Sequence, residues 1–188
     1  VGEVMPNLPF SDPRCQNLFR HIAAAGLPFT FDIADRIGGR YGFYDDPGLP
    51  QLEATLRDHP TLAVFGHGPA FWAEMGTLDR PADRGGYPAY PIRAEGAVPR
   101  LFRRYPNLYG DLSAGSGCNA LARDRAHAAR FLNEFQDRLL FGTDLCYATQ
   151  ALPLAAFLLA LRDDGLLPAA AFDKIARGNA IRLLGLEG

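Results

Sequence analysis

Residues 139–144 read LLFGTD, a short apolar run that ends in a carboxylate. Three earlier stretches have the same form, with hydrophobic residues leading up to an acid or a histidine. The runs are rich in aromatic and branched residues and lack a strict polar alternation, which is typical of strands covered on both faces. We therefore predict a parallel sheet built from Phe29–Ala34, Leu62–His67, Asn107–Ser113 and Leu139–Asp144.

Helical patterns fill the segments between these runs, and glycine or proline ends several of them. Strand and helix in alternation predict an α/β fold, with right-handed crossovers that place the helices outside the sheet. The residues alone leave an open sheet and a barrel as alternatives. Val1–Val4 is a weaker strand candidate, and Met75–Glu95 is predicted to be an ordered loop. The predicted helices are Gln16–Ala25, Pro50–Asp58, Val98–Tyr105, Asp124–Gln136, Pro153–Arg162 and Ala169–Leu184.

Composition excludes several classes of protein. The chain has 188 residues, 48% of them hydrophobic and 21% charged, which predicts a single domain over residues 1–188. A net charge of −2 argues against binding to nucleic acid. The most apolar stretch, Leu152–Leu161, is shorter than the roughly 20 residues that a membrane span needs. Three widely spaced cysteines form no disulfide or metal motif, so we expect a cytoplasmic protein without a membrane partner.

The residues that terminate the four runs are the candidates for chemistry. In α/β folds ligands bind at the carboxyl ends of parallel strands, so we expect Asp32, His67, Asp111 and Asp144 to lie on one rim. Carboxylates and imidazole suit a divalent metal, and a metal-bound water suits hydrolysis. Each residue also has a structural alternative. Asp111 could cap the loop 113–117, His67 could make a core hydrogen bond, and Asp144 could cap a helix. Near Asp32, Asp35 and Arg36 could form a solvated ion pair.

Four segments in this order carry a resemblance: Phe65–Trp72 (FGHGPAFW), Tyr105–Asn119 (YPNLYGDLSAGSGCN), Asp137–Asp144 (DRLLFGTD) and Gly178–Leu186 (GNAIRLLGL). Together they resemble the amidohydrolase-2 family of metal-dependent hydrolases and decarboxylases. The resemblance spans nearly the whole chain and implies a (β/α)₈ barrel of the TIM type. The four runs would then be strands five to eight, with Val1–Val4 as the end of strand four.

The resemblance also implies roles for matching positions. His67 would be a metal ligand or a catalytic imidazole, and Asp144 would bind metal and transfer the proton. Asp32 stands where the family usually has a metal-binding histidine. The His-x-His pair of the family's first strand is missing from this sequence, and Lys174 is its only lysine, which removes the carbamylated-lysine bridge of some binuclear relatives. We expect one divalent metal, zinc, bound by Asp32, His67 and Asp144.

Length fits a partial barrel. A complete (β/α)₈ barrel takes about 250 residues, so this chain has room for roughly five βα units. We expect strands four or five to eight, with unpaired edges that favour a homo-oligomer.

We interpret the chain as part of a metal-dependent hydrolase of a small-molecule amide, ester or lactone. Asp144 and His67 would be catalytic, and Trp72 and Asp111 would bind substrate. A first alternative is a non-oxidative decarboxylase of an aromatic or unsaturated acid, whose pocket Phe71, Trp72, Tyr87 and Tyr90 could line. A second is a degenerate barrel that binds without catalysis.

Overall fold

The computed structural model describes residues 1–38 and 41–186. In these ranges the strands are β1 (Phe29–Phe31), β2 (Ile33–Ala34), β3 (Phe43–Tyr44), β4 (Val64–Gly66), β5 (Leu108–Asp111) and β6 (Leu139–Leu140). The helices are α1 (Pro13–Ala24), α2 (Pro50–Asp58), α3 (Pro69–Trp72), α4 (Ala97–Arg104), α5 (Ala114–Ala122), α6 (Arg125–Glu134), α7 (Pro153–Asp163), α8 (Ala169–Asp173) and α9 (Asn179–Leu184). A π-helical segment, Lys174–Gly178, joins α8 to α9, and 3₁₀ turns cover Ala73–Met75 and Pro81–Gly85.

The main sheet confirms the predicted parallel α/β fold. Its strand order is β1-β4-β5-β6, and every neighbouring pair is parallel. On the outer side of β1, Val4 makes an isolated parallel bridge to Phe31, and Val1 O accepts a hydrogen bond from Thr30 N at 2.9 Å. The predicted strand Val1–Val4 therefore lies along β1 without forming a continuous strand. The strands therefore follow one another in chain order with helices between them. This is the arrangement of one part of a (β/α)₈ barrel.

All four predicted strands are shorter than expected, and two of them are cut short by hydrogen bonds that lead out of the main sheet. The run Phe29–Ala34 is divided at Asp32, whose carbonyl oxygen accepts a hydrogen bond from Phe43 N at 2.8 Å. This bond directs Ile33 and Ala34 into a small second sheet with β3. The run Leu139–Asp144 leaves the main sheet after Leu140, because Phe141 N donates instead to Ile175 O at 2.9 Å.

The segment after Asp111 contains the clearest error of the sequence analysis. We expected a loop over residues 113–117, but helix α5 begins at Ala114. Its first four residues are Ala-Gly-Ser-Gly, and the two glycines and the serine, which have lower helix propensity than alanine, suggest a loop. Tertiary packing reverses this preference, because a Cβ atom at Gly117 would lie 2.4 Å from the Leu112 carbonyl oxygen. Glycine permits the helix to pack directly on the strand end.

The two faces of the sheet have different surroundings. On the helix side, Phe29 packs its ring against Phe19 of α1 with centroids 5.1 Å apart, and both rings are fully buried. Burying such a side chain stabilises the fold by about 1.5–3 kcal/mol. On the opposite face the register aligns Thr30, Phe65 and Tyr109 in one row. The Phe65 and Tyr109 rings meet edge to face at 5.4 Å.

Glycine precedes two of the predicted site residues because aromatic rings of α3 pack there. A Cβ atom at Gly66 would lie 2.3 Å from the Phe71 ring, and one at Gly110 would lie 2.8 Å from the Trp72 ring. These contacts fix α3 across β4 and β5. The helices in residues 1–38 and 41–186 include none long and apolar enough to cross a membrane.

Candidate active site at the strand ends

Strand register brings three of the four predicted site residues side by side. Phe31 pairs with Gly66, and Gly66 pairs with Gly110. The residues that follow these three are Asp32, His67 and Asp111, which therefore come next on neighbouring strands. Side chains alternate along a strand, so these three lie on the same face as the row of Thr30, Phe65 and Tyr109. The predicted rim is present for this part of the site.

His67 and Asp111 form the central pair of the site. The His67 Nδ1 atom lies 3.2 Å from Asp111 Oδ2, and the His67 side chain is only 8% exposed. The other carboxylate oxygen, Asp111 Oδ1, accepts a hydrogen bond from Ser113 N at 2.9 Å. Since Asp111 occupies the Nδ1 side of the imidazole, Nε2 is the ring nitrogen available to a ligand. The predicted capping role of Asp111 is therefore combined with the positioning of His67.

His67 and Asp111 each shift the pKa of the other toward the charged form. Burial would lower the pKa of His67, but the hydrogen bond and charge of Asp111, with Glu3 and Asp32, outweigh it, and the pKa is raised. For Asp111, burial acts to raise the pKa, but His67 and the hydrogen bonds of Ser113 hold it below its usual value. The pair therefore favours an imidazolium beside a carboxylate.

Glu3 is a site residue that the sequence analysis missed. Its Oε1 atom lies 3.7 Å from His67 Nε2, on the side of the imidazole opposite Asp111. The negative charge of Glu3 contributes to the raised pKa values of both His67 and Asp32. The sequence did contain a signal for Glu3, because it is an acid within the apolar run Val1–Val4. The other apolar runs also carry a polar site residue at the strand end.

Asp32 is the most buried carboxylate of the site, with 3% of the residue exposed. It packs against the backbone of Gly68, where a Cβ atom would lie 1.8 Å from Asp32 Oδ1. Gly68 also has a φ of +85°, a conformation that L side chains rarely adopt. Burial raises the pKa of Asp32 to about 6, although the charge of His67 opposes this shift. Among the described residues, Asp35 and Arg36 form no ion pair, so the solvated pair that we considered near Asp32 is not observed.

Asp144 lies in the irregular segment after β6 and is exposed. Its φ of +51° is left-handed, and its carbonyl oxygen accepts a hydrogen bond from Gln150 Nε2 at 3.0 Å. After burial and the charge of Glu3, the charge of Asp144 also contributes to the raised pKa of Asp32. Asp144 does not cap a helix here, because α7 begins only at Pro153. Its predicted roles in metal binding and proton transfer stay predictions.

Trp72 is located in the core. It is 1% exposed, and its indole nitrogen donates a hydrogen bond to the Asp111 carbonyl oxygen at 2.9 Å. This contact supports the end of β5 from behind, on the side away from the row of site residues. The position favours a role in holding Asp111 over the direct substrate contact that we predicted. Tyr87, by contrast, is 55% exposed and lies beside Gly115.

The donor types at the strand ends fit a divalent metal, since they are carboxylate oxygens and an imidazole nitrogen. In residues 1–38 and 41–186, however, no three His, Cys, Asp or Glu side chains come close enough together to hold an ion. The described residues therefore do not by themselves form a complete ligand set.

The sequence profile of the amidohydrolase family matches residues 1–186. The chain belongs to the amidohydrolase family. Solved structures of barrel proteins are similar to this chain in fold. An uncharacterized TIM-barrel protein from Bordetella bronchiseptica is 22% identical, with a TM-score of 0.57 over 94% of this chain and 52% of that one. An amidohydrolase from Burkholderia multivorans, solved with bound zinc, is 16% identical, with a TM-score of 0.57 over 93% of this chain and 58% of that one.

A third structure is a 2,6-dihydroxybenzoate decarboxylase from Rhizobium, 18% identical, with a TM-score of 0.47 over 96% of this chain and 58% of that one. No curated protein matches the chain at a significant level of sequence similarity. The chain spans just over half the length of the solved structures that it matches.

Proposed function

We propose that this chain forms part of an amidohydrolase-type hydrolase that acts on a small-molecule amide, ester or lactone. The observation that supports this most is the pairing of His67 Nδ1 with Asp111 Oδ2 at 3.2 Å at the ends of parallel strands. This pairing leaves Nε2 directed away from Asp111, on the side where Glu3 lies. A buried imidazole that Asp111 holds at Nδ1 is suited to general acid catalysis through Nε2.

His67 would donate a hydrogen bond, and then a proton, from Nε2 to the oxygen of the reacting group. Its raised pKa favours this role over metal ligation, because a metal ligand must present an unprotonated nitrogen. Asp111 would act as a positioning residue that holds the imidazole in one orientation. Asp144, exposed at the rim, would accept the proton of the attacking water.

A divalent metal ion, for which we propose zinc, would lower the pKa of a bound water and so supply a nucleophile near neutral pH. Asp32 and Asp144 are the residues of this chain that would hold it when His67 acts as the acid. If His67 is instead the third ligand, as the sequence analysis allows, removing the imidazole will also remove metal. The metal content of a His67→Asn variant therefore separates the two roles.

A decarboxylase of aromatic acids is the second candidate, and the aromatic pair Phe65 and Tyr109 favours it. These rings lie one row below His67 and Asp111 on the same face of the sheet, where they could support a planar substrate. In this reaction the carboxylate leaves as CO₂, and the electron pair of the broken bond remains on the ring carbon. That carbon would then take a proton from His67 Nε2.

The test is a substrate survey on the whole protein that contains this chain. Lactones, esters, amides and hydroxybenzoates would be assayed with and without added Zn²⁺ or Mn²⁺, beside a His67→Asn variant. We expect turnover of one substrate class that the variant loses. If a substrate class binds but is not turned over at any metal loading, the non-catalytic alternative replaces this proposal.

A further inference from the structure

The hydroxyl group of Ser113 lies beside the central pair of the site. Its Oγ atom is 3.4 Å from His67 Nδ1, the ring nitrogen that also faces Asp111 Oδ2 at 3.2 Å. The same hydroxyl forms a side-chain hydrogen bond with the Asp111 carboxylate, in addition to the bond that Ser113 N donates. Ser113 is only 6% exposed, so water has little access to these contacts. One buried serine therefore contacts both members of the pair.

Ser113 also stands where a serine normally caps a helix. It is the N-cap residue of α5, and the side chain of a serine at this position usually accepts a hydrogen bond from a backbone N–H of the first turn. That bond stabilises the helix, yet the Ser113 side chain does not make it. The hydroxyl is directed toward His67 and Asp111 instead of toward the start of α5.

The backbone beside Ser113 is strained in a way that accompanies this orientation. Ala114, the first residue of α5, has a φ of +61°, in the left-handed region that residues other than glycine seldom adopt. Such strain persists only where the surrounding structure enforces it, and it is concentrated at functional sites. Gly142 adds a second constraint, because a Cβ atom there would lie 2.9 Å from Ser113 Cβ. The segment after β6 thus packs directly against the serine.

We propose that Ser113 is a positioning residue whose hydroxyl group keeps the His67 imidazole in one tautomer. When His67 gives up its Nε2 proton, the neutral ring has to keep its remaining proton on Nδ1. Asp111 Oδ2 and Ser113 Oγ are two acceptors on that side of the ring. A hydroxyl group can accept one hydrogen bond while it donates another, so Ser113 can accept from Nδ1 and donate to Asp111. This role rests on the proposed function, because His67 is the general acid of that reaction.

The kinetic test replaces Ser113 by alanine in the whole protein that contains this chain. Ser116→Ala is the matched control, since Ser116 lies in the same helix, is 2% exposed, and its Oγ has no hydrogen-bond partner among the described residues. We expect Ser113→Ala to lower kcat about tenfold with little change in KM, as for the loss of one hydrogen bond in the transition state. Ser116→Ala should keep the kcat of the parent. In an Asp111→Asn background Ser113→Ala should have little further effect, because both residues act through the same imidazole.

A second measurement needs no substrate, so it separates this inference from the proposed function. Proton NMR of the full chain should show the Nδ1–H of His67 as a far-downfield signal that His67→Asn removes. We expect this proton to exchange with water faster in Ser113→Ala than in the parent, and at the parent's rate in Ser116→Ala. If exchange follows this pattern while no substrate is turned over, the positioning role stands and the proposed function fails. The inference is overturned if Ser113→Ala keeps the parent's exchange rate, or if it keeps the parent's kcat in an active enzyme.

Discussion

Asp111 Oδ2 lies 3.2 Å from Nδ1 of His67, and the two residues come from the ends of neighbouring parallel strands. The register of β4 and β5 sets this distance, so the pair is held by the sheet and not by a flexible loop. Ser113 N binds the other Asp111 oxygen at 2.9 Å and prevents the carboxylate from rotating away. The imidazole is thereby fixed with Nε2 as its reactive nitrogen.

Replacing Asp111 tests this arrangement. In Asp111→Asn the amide can present its NH₂ group to Nδ1, which would favour the wrong tautomer of His67. We expect kcat to fall by about 10²–10⁴-fold with a small change in KM, as for the loss of general acid catalysis. Asp163→Asn, which changes an exposed acid paired with Arg162, should leave kcat unchanged. Near-normal turnover in Asp111→Asn would show that the pair is structural.

The variant Asp144→Asn should have a lower turnover rate than Asp32→Asn. Asparagine adopts the left-handed conformation of residue 144, where φ is +51°, so the fold should be kept while proton acceptance is lost. Asp32 would supply one ligand to the metal and accept no proton, so its loss should have the smaller effect. Steady-state kinetics and metal analysis of both variants would check this ranking. If Asp32→Asn loses more turnover than Asp144→Asn, a carboxylate other than Asp144 is the general base.

Gly68→Ala should destabilise the chain more than Gly165→Ala. Both glycines have left-handed φ values, +85° and +72°. A Cβ atom at Gly165 meets nothing within 4 Å, whereas one at Gly68 would overlap Asp32 Oδ1. The Gly165 variant thus measures the backbone cost alone, about 1–2 kcal/mol. We expect urea unfolding to show a clearly larger loss for Gly68→Ala, and equal losses would mean that Asp32 moves aside freely.

Stability should decrease as pH rises from about 4 to about 6, partly through Asp45. Burial raises the pKa of Asp45 to about 6, although hydrogen bonds from Leu52 N and Gln51 N oppose the shift. An unfolded aspartate has a pKa of about 3.9, so between these values the folded state binds the extra proton. Ionisation should then cost on the order of 3 kcal/mol by pH 7. Urea titrations should show a flatter pH profile for Asp45→Asn; equal slopes would contradict the assignment.

We expect the isolated chain to associate with itself. In the described residues β6 pairs on one side only, and several large side chains are exposed, among them Tyr147 at 63% and Leu166 at 41%. Unpaired strand edges and exposed apolar groups favour pairing with another copy. Sedimentation velocity over a range of concentrations would detect this, and a monomer at every concentration would contradict the homo-oligomer that we propose.

The prediction for the loop after Asp111 failed for a physical reason. Helix α5 forms despite the two glycines and the serine in its first turn because Gly117 can pack against the Leu112 carbonyl, a contact that the residue types do not reveal. The break at Asp32 has a similar origin, since it depends on a hydrogen bond from Phe43 N. Both errors concern backbone contacts made across the fold.

The sequence by itself determined the parallel α/β fold and the strand-end location of His67 and Asp111. An apolar run of strand length that ends in a polar residue indicates a functional site, because burying an acid or an imidazole without a function is costly. Only the tertiary structure decided which groups meet. It brought Glu3 to 3.7 Å from His67 Nε2, buried Trp72 behind Asp111, and left Asp32 and Asp35 facing one cavity. Those contacts depend on strand register and close packing between distant segments, which no local pattern of residues encodes.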